Sequence, residues 1–223
     1  MDQLPLVLPH RPALGRADFL VAPCNEAAVA WLDRWPHWPA PALALTGPAG
    51  SGKTHLAHVF AARAAARFVA PGALTTERVP ELAGTARAVI VDDAEGAAEE
   101  PLLHLYNLMA ERRGHLLVTA REAPARWRIA LADLRSRLVA APAVAVALPD
   151  EALIAALLVK LFADRQLQVG EGVLAYLALR LERSFAAAQR AVEALDAASL
   201  AERRAITVPL ARRVLRLEEE GEG

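Results

Sequence analysis

The plainest chemistry in this chain lies in the run Gly47-Pro48-Ala49-Gly50-Ser51-Gly52-Lys53-Thr54, which matches the pattern G-x-x-x-x-G-K-[ST] at every position. Glycines let successive backbone N–H groups turn to one side, and a helix N-terminus behind them adds partial positive charge, so the concavity suits polyphosphate. Lys53 is expected to reach the β- and γ-phosphates, Thr54 to ligand Mg²⁺ through its hydroxyl, and His55 to flank the same turn. The run Val89-Ile90-Val91-Asp92-Asp93 supplies the carboxylates such a loop needs on a neighbouring strand. Asp92 is expected to complete the Mg²⁺ shell and Asp93 to orient or deprotonate an attacking water; a strand-end carboxylate also serves as a helix cap. Leu116-Leu117-Val118-Thr119-Ala120 ends a third apolar run in a hydroxyl, which makes Thr119 a candidate sensor of the γ-phosphate.

These residues need strands to carry them and helices to cover the strands. Ala42–Thr46, Ala88–Val91, His115–Ala120 and Ala143–Leu148 are short apolar runs, and between them helical periods are expected over Lys53–Arg67, Pro101–Arg112 and Leu131–Val139. Strands of this kind alternating with helices imply a parallel sheet covered on both faces, a three-layer α/β domain. A helix from Asn25 to Trp35, with Asn25 as N-cap and Ala28, Val29, Leu32 and Trp35 on one face, precedes them. After Pro149 the strands stop, and Asp150–Asp164, Glu171–Arg180, Ser184–Leu200 and Pro209–Leu217 all have helical period, which suggests a small all-helical lid. The expected organisation is an extended arm over 1–16, an α/β domain over 17–149, a lid over 150–217 and a frayed acidic tail over 218–223.

Composition narrows the partners without naming one. The formal net charge is -1 and the pI about 6.6, so nothing global draws the chain to nucleic acid or anionic membrane. No uninterrupted apolar span is long enough to cross a bilayer, and no secretory signal pattern appears. Cys24 is the single cysteine and has no internal disulfide partner, which fits a reducing, cytoplasmic setting. Arg121, Arg126, Arg128, Arg135 and Arg137 make a local positive patch against Glu122 and Asp133.

The order GPAGSGKTHLA, VIVDD, LLVTA followed by Arg121 and Pro124, and then DLRSRL resembles the AAA+ ATPases of the DnaA initiator family. That resemblance implies a P-loop AAA+ domain with a helical lid, binding ADP or ATP with Mg²⁺. DnaA initiators carry a further helix-turn-helix domain that reads DNA; this chain ends soon after the expected lid, so sequence-specific DNA binding is not expected. It is similar to the short regulatory members of the family, which repress re-initiation by promoting hydrolysis of DnaA-bound ATP on the DNA-loaded sliding clamp.

The same resemblance assigns the arm and one arginine. Gln3, Leu4, Pro5, Leu6 and Leu8 resemble the peptide by which such regulators dock on the clamp. The physics agrees, because prolines pre-extend an arm and alternate leucines offer anchors. Arg137, in DLRSRL, matches the family's arginine finger and would act on ATP held by DnaA, an effect worth roughly 10³ to 10⁵ in rate in other NTPases. The family also places a sensor arginine early in a lid helix, where this chain has Ala186, Ala187 and Ala188, with Arg183 and Arg190 as the nearest substitutes. That departure favours a stable nucleotide-bound regulator over fast turnover. The competing expectation is an autonomous DnaA-like ATPase, a helicase loader or DNA-remodelling factor; homo-oligomers are compatible with either.

Overall fold

Alternation along β1 (Ala42–Thr46) shows how the layers arise. Ala42 and Ala44 point to one face of the sheet and Leu43 and Leu45 to the other, and all four are buried. A strand buried on both sides needs helices above and below it. The computed structural model describes residues 20–221, and in it the elements after β1 run as follows. First come α2 (Lys53–Ala64), β2 (Arg67–Val69), α3 (Val79–Ala83), β3 (Ala88–Val91), α4 (Glu99–Glu111), β4 (His115–Ala120), α5 (Ala132–Ala140) and β5 (Ala143–Ala145). Then come α6 (Glu151–Asp164), α7 (Glu171–Arg180), α8 (Phe185–Glu202) and α9 (Val208–Gly221), while α1 (Glu26–Asp33) precedes β1. The five strands are parallel, in the order β2-β3-β4-β1-β5.

On one face Val89, Val91, Leu116 and Val118 pack against Leu102, Leu105 and Met109 of α4 and Leu134 and Leu138 of α5. On the other, Leu43, Leu45, Ile90 and Leu117 meet Ala28 and Leu32 of α1 and Leu56 and Phe60 of α2. The helices α6–α9 close a core of their own around Leu158, Phe162, Leu177, Val192 and Leu195. Among the described residues no helix is long and apolar enough to cross a membrane.

Four local expectations are corrected. Asn25 does not cap α1: its Oδ1 accepts from the Ala22 amide at 2.9 Å and its Nδ2 donates to the Leu20 carbonyl at 3.0 Å, so it ties the preceding linker instead. The helix expected to reach Arg67 stops at Ala64, because Ala65 turns left-handed (φ 48°), and Arg67–Val69 joins the sheet edge as β2. Strand β5 ends at Ala145; beyond it the Ala147 amide bonds to the Cys24 carbonyl at 2.9 Å rather than to a strand. The acidic tail continues α9 as far as Gly221, where fraying was expected. The arm residues Gln3, Leu4, Pro5, Leu6 and Leu8 lie outside the described residues.

Candidate nucleotide site

Strand register builds the site. Thr46 pairs with Ala120 across β1 and β4, and Val91 pairs with Val118 across β3 and β4, so the next residues, Gly47, Asp92 and Thr119, emerge together at the carboxyl edge of the sheet. Ligands of open parallel sheets gather at that edge. The Gly47 amide completes the turn by bonding to the carbonyls of Ala120 and Arg121, both at 3.2 Å.

The loop then turns into α2. Gly50 (φ +77°) and Gly52 (φ +94°) hold left-handed angles that glycine alone adopts freely. A Cβ on Gly50 would lie 2.4 Å from the Ser184 Cβ, and one on Gly52 would lie 3.0 Å from the Phe185 ring, so the lid sits directly on the loop. The Phe185 amide bonds to the Gly50 carbonyl at 3.2 Å, and the buried Ser184 caps α8 by accepting from Ala187 at 3.0 Å. Lys53 is buried and donates to the Pro48 carbonyl at 2.8 Å, while Ala49 at the tip is exposed. Burial pushes the Lys53 ammonium below the usual lysine range; Asp93, Asp92 and Glu95 oppose that shift and Arg121 adds to it. A partly desolvated cation is poised to gain from an arriving anion. Ser51 is buried too, and among the described residues its Oγ has no hydrogen-bond partner.

Asp92 is the hub of the carboxylate side. Its carboxylate accepts from the Thr54 hydroxyl (2.9 Å to Oδ2) and from the Thr119 hydroxyl (2.5 Å to Oδ1). Thr119 Oγ1 in turn accepts from the Asp93 amide at 2.9 Å. Asp93 itself holds a left-handed conformation (φ 51°), and its side chain caps no turn. Non-glycine residues held at such angles cluster at functional sites. The Thr54 hydroxyl and the Asp92 carboxylate are hard oxygens facing one another, a donor pair that suits Mg²⁺ and leaves its remaining positions to phosphate and water. Among the described residues no cluster of three or more His, Cys, Asp or Glu makes a protein-only metal cage.

Over the loop lies a cavity of about 450 Å³, lined by Gly50, Gly52, Lys53, Thr54, His55 and His58 from below and by Phe185, Ala186 and Gln189 from the lid. Ala186 and Gln189 therefore face the loop where the sequence led us to look for an arginine. Arg183 approaches Glu151 at 3.8 Å instead, and neither Arg183 nor Arg190 lines this cavity. In the linker ahead of α1, Leu20, Ala22 and Cys24 pack on the lid core.

Arg137 stands apart from these groups on α5. Its Nε donates to Asp133 at 2.9 Å and its guanidinium lies 5.6 Å from the centre of the Tyr106 ring, with 39% of the side chain exposed. The start of α5 is held by Glu99, the first residue of α4, whose carboxylate accepts from the amides of Ala130 (2.9 Å) and Leu131 (2.7 Å). Those bonds lower the Glu99 carboxyl below the usual range. Glu95 likewise accepts from the Arg121 amide. Sequence reasoning missed Ser184, Gln189, Glu95 and Glu99. Only Ser184 carried a signal, as a serine at the head of an apolar helix.

Comparison with known proteins places this geometry. Domain III of the replication initiation protein DnaA from Thermotoga maritima superposes with a TM-score of 0.77 at 17% identity, over 94% of this chain and 98% of that one. AMPPCP-bound DnaA from Aquifex aeolicus gives 0.65 at 14% identity, over 80% of this chain and 63% of that one. The Thermotoga maritima RuvB Holliday junction branch migration motor gives 0.67 at 15% identity, over 87% and 66%. Residues 150–215 match the family described as Hda, lid domain. The chain has the α/β fold of DnaA domain III with a helical lid, and that lid, over residues 150–215, matches the Hda lid family.

Proposed function

We propose that this protein is a nucleotide-bound regulator of chromosome replication. It holds ADP or ATP with Mg²⁺ in the cradle from Gly47 to Thr54, docks through its arm on the DNA-loaded sliding clamp, and presents Arg137 to ATP bound by DnaA. The observation that carries the reading is the lid's seat on the loop. Ser184 and Phe185 are locked against Gly50 and Gly52, yet the lid offers Ala186 and Gln189, not a cation, to the cavity. Such a site keeps its nucleotide as a fastener between body and lid, with little provision for stabilising charge as its own γ-phosphate departs.

Within that reading each group has a task. Lys53 and the loop amides neutralise phosphate oxygens; Thr54 and Asp92 would hold Mg²⁺, which would supply charge neutralisation; Thr119 fixes the Asp92 carboxylate; Asp93 is placed to orient an attacking water. Arg137, already aligned by Asp133 and Tyr106, is directed at a neighbour's phosphate rather than at its own. The Hda-type lid and the DnaA-like body support a DnaA-related role.

The test is hydrolysis of DnaA-bound ATP with and without clamp on DNA. The wild-type chain should accelerate it only with loaded clamp. Arg137→Ala should keep nucleotide and clamp binding and lose the acceleration; retained acceleration rules out the finger assignment. Rapid turnover by the chain alone, stimulated by DNA without clamp, would favour an autonomous ATPase instead.

A further inference from the structure

Away from the nucleotide, α1 and α2 enclose an apolar groove of about 480 Å³ floored by Leu56 and Phe60 and walled by Val21, Val29 and Val59. At its rim Arg63 and Asp33 form an ion pair of 2.7 Å. Val21 is 60% exposed although it lines this apolar surface. Water in such a groove is cheaply displaced by an apolar segment.

The described chain begins at Leu20, one residue before Val21 on the groove's wall. The segment ahead of it holds the apolar run Leu4-Pro5-Leu6-Val7-Leu8. The twelve residues from Pro9 to Leu20 can span roughly 40 Å when extended. The α2 stretch from Leu56 to Arg63 rises only about 10 Å. Reach is therefore ample, and a short tether gives an effective concentration on the order of millimolar, which no free partner matches unless its own affinity is high.

We propose that the groove between α1 and α2 is the resting seat of residues 4–8 of the same chain. Leu4, Leu6 and Leu8, on one side of an extended segment, face Val29, Val59 and Phe60. Leucines seated there are withheld from other partners. Where this rests on the clamp reading above, the seat regulates docking: the clamp must draw the arm out of the groove.

The seat is tested in the full-length chain with Cys24→Ser, Leu6→Cys and Val59→Cys, under mild oxidation with diamide. An intramolecular disulfide is expected, in much higher yield than in a control that pairs Leu6→Cys with Leu200→Cys, a lid position 70% exposed. Equal yields from the two pairs overturn the seat, and a product made only between two chains assigns the groove to a second copy and overturns it as well. Hydrogen exchange gives an independent reading. Removing residues 2–16 should speed exchange in α1 and α2 severalfold and leave α6–α9 unchanged, and no change in α1 and α2 overturns the seat. Val59→Glu should raise affinity for the sliding clamp severalfold. Cross-linking without that gain overturns only the regulatory clause.

Discussion

The carbonyl of Gly50 accepts a hydrogen bond from the backbone amide of Phe185 at 3.2 Å, joining the middle of the phosphate loop to the first residue of a lid helix. Ser184 packs against the same glycine so closely that a Cβ there would fall 2.4 Å from its own. The loop and the lid are one structural unit, and the nucleotide cavity lies in the angle between them.

Gly50→Ala must therefore damage both. The left-handed angle and the collision with Ser184 should cost on the order of 1–3 kcal/mol. The lowered thermal midpoint should come with weakened ADP binding in calorimetry. Unchanged values for both would mean that the lid does not rest on the loop in solution.

Lys53→Met separates binding from folding. Removing the ammonium should weaken ADP association by about 1.5–3 kcal/mol, roughly tenfold to a hundredfold. Burial holds Lys53 below its usual range, so its charged form costs stability below the folded value, and the cost fades as pH rises toward the unfolded value. The nucleotide-free variant should thus melt no lower than wild type at neutral pH, while losing the stabilisation that ADP gives. A large drop in its nucleotide-free midpoint would contradict this.

His115 supplies the pH dependence. It sits at the start of β4 against Trp38 (5.2 Å between ring centres) and Trp35 (6.4 Å). Burial, and secondarily Arg87, lower its basicity. The unfolded chain then binds the proton more readily, so stability is level above about pH 6.5 and falls as pH drops from there toward the folded value. Denaturant midpoints at about pH 5 and at neutrality should differ less in His115→Phe than in wild type. An equal difference would place the titrating group elsewhere.

Tyr106 and Asp133 should matter through Arg137. A cation over an aromatic face is worth about 0.5–1 kcal/mol at exposed sites, and an exposed helical ion pair about 0.3–0.5 kcal/mol. Tyr106→Leu and Asp133→Ala should each reduce stimulation of DnaA-bound ATP hydrolysis by a few-fold. Tyr106→Phe should restore the first, since the ring rather than the hydroxyl makes the contact.

Much of this was legible in the chain. Strands β1, β3 and β4 have the boundaries expected, because burial on both faces makes them almost wholly apolar, with Thr46, His115 and Thr119 only at or near strand ends. Strand β2 was not: it is three residues at a sheet edge, with Arg67 and Phe68 exposed, and it follows an alanine-rich helix whose composition gives no stop signal. The glycine turn from Gly47 to Thr54, between β1 and α2, was legible letter by letter because its backbone demands are local. The bond from Thr119 to Asp92 depends on the register of two strands, and the lid's seat on Gly50 on packing between distant parts of the chain, neither of which spacing encodes.

The carboxylate of Glu99 has a mechanical consequence. It grips the two amides just ahead of α5, while Glu99 itself opens α4, seven residues beyond Asp92. The strand that leads to Asp92 and the helix that carries Arg137 are thus braced by a single strut. A disturbance at one end travels to the other as leverage, so whatever occupies the cavity beside Asp92 bears on how Arg137 is set.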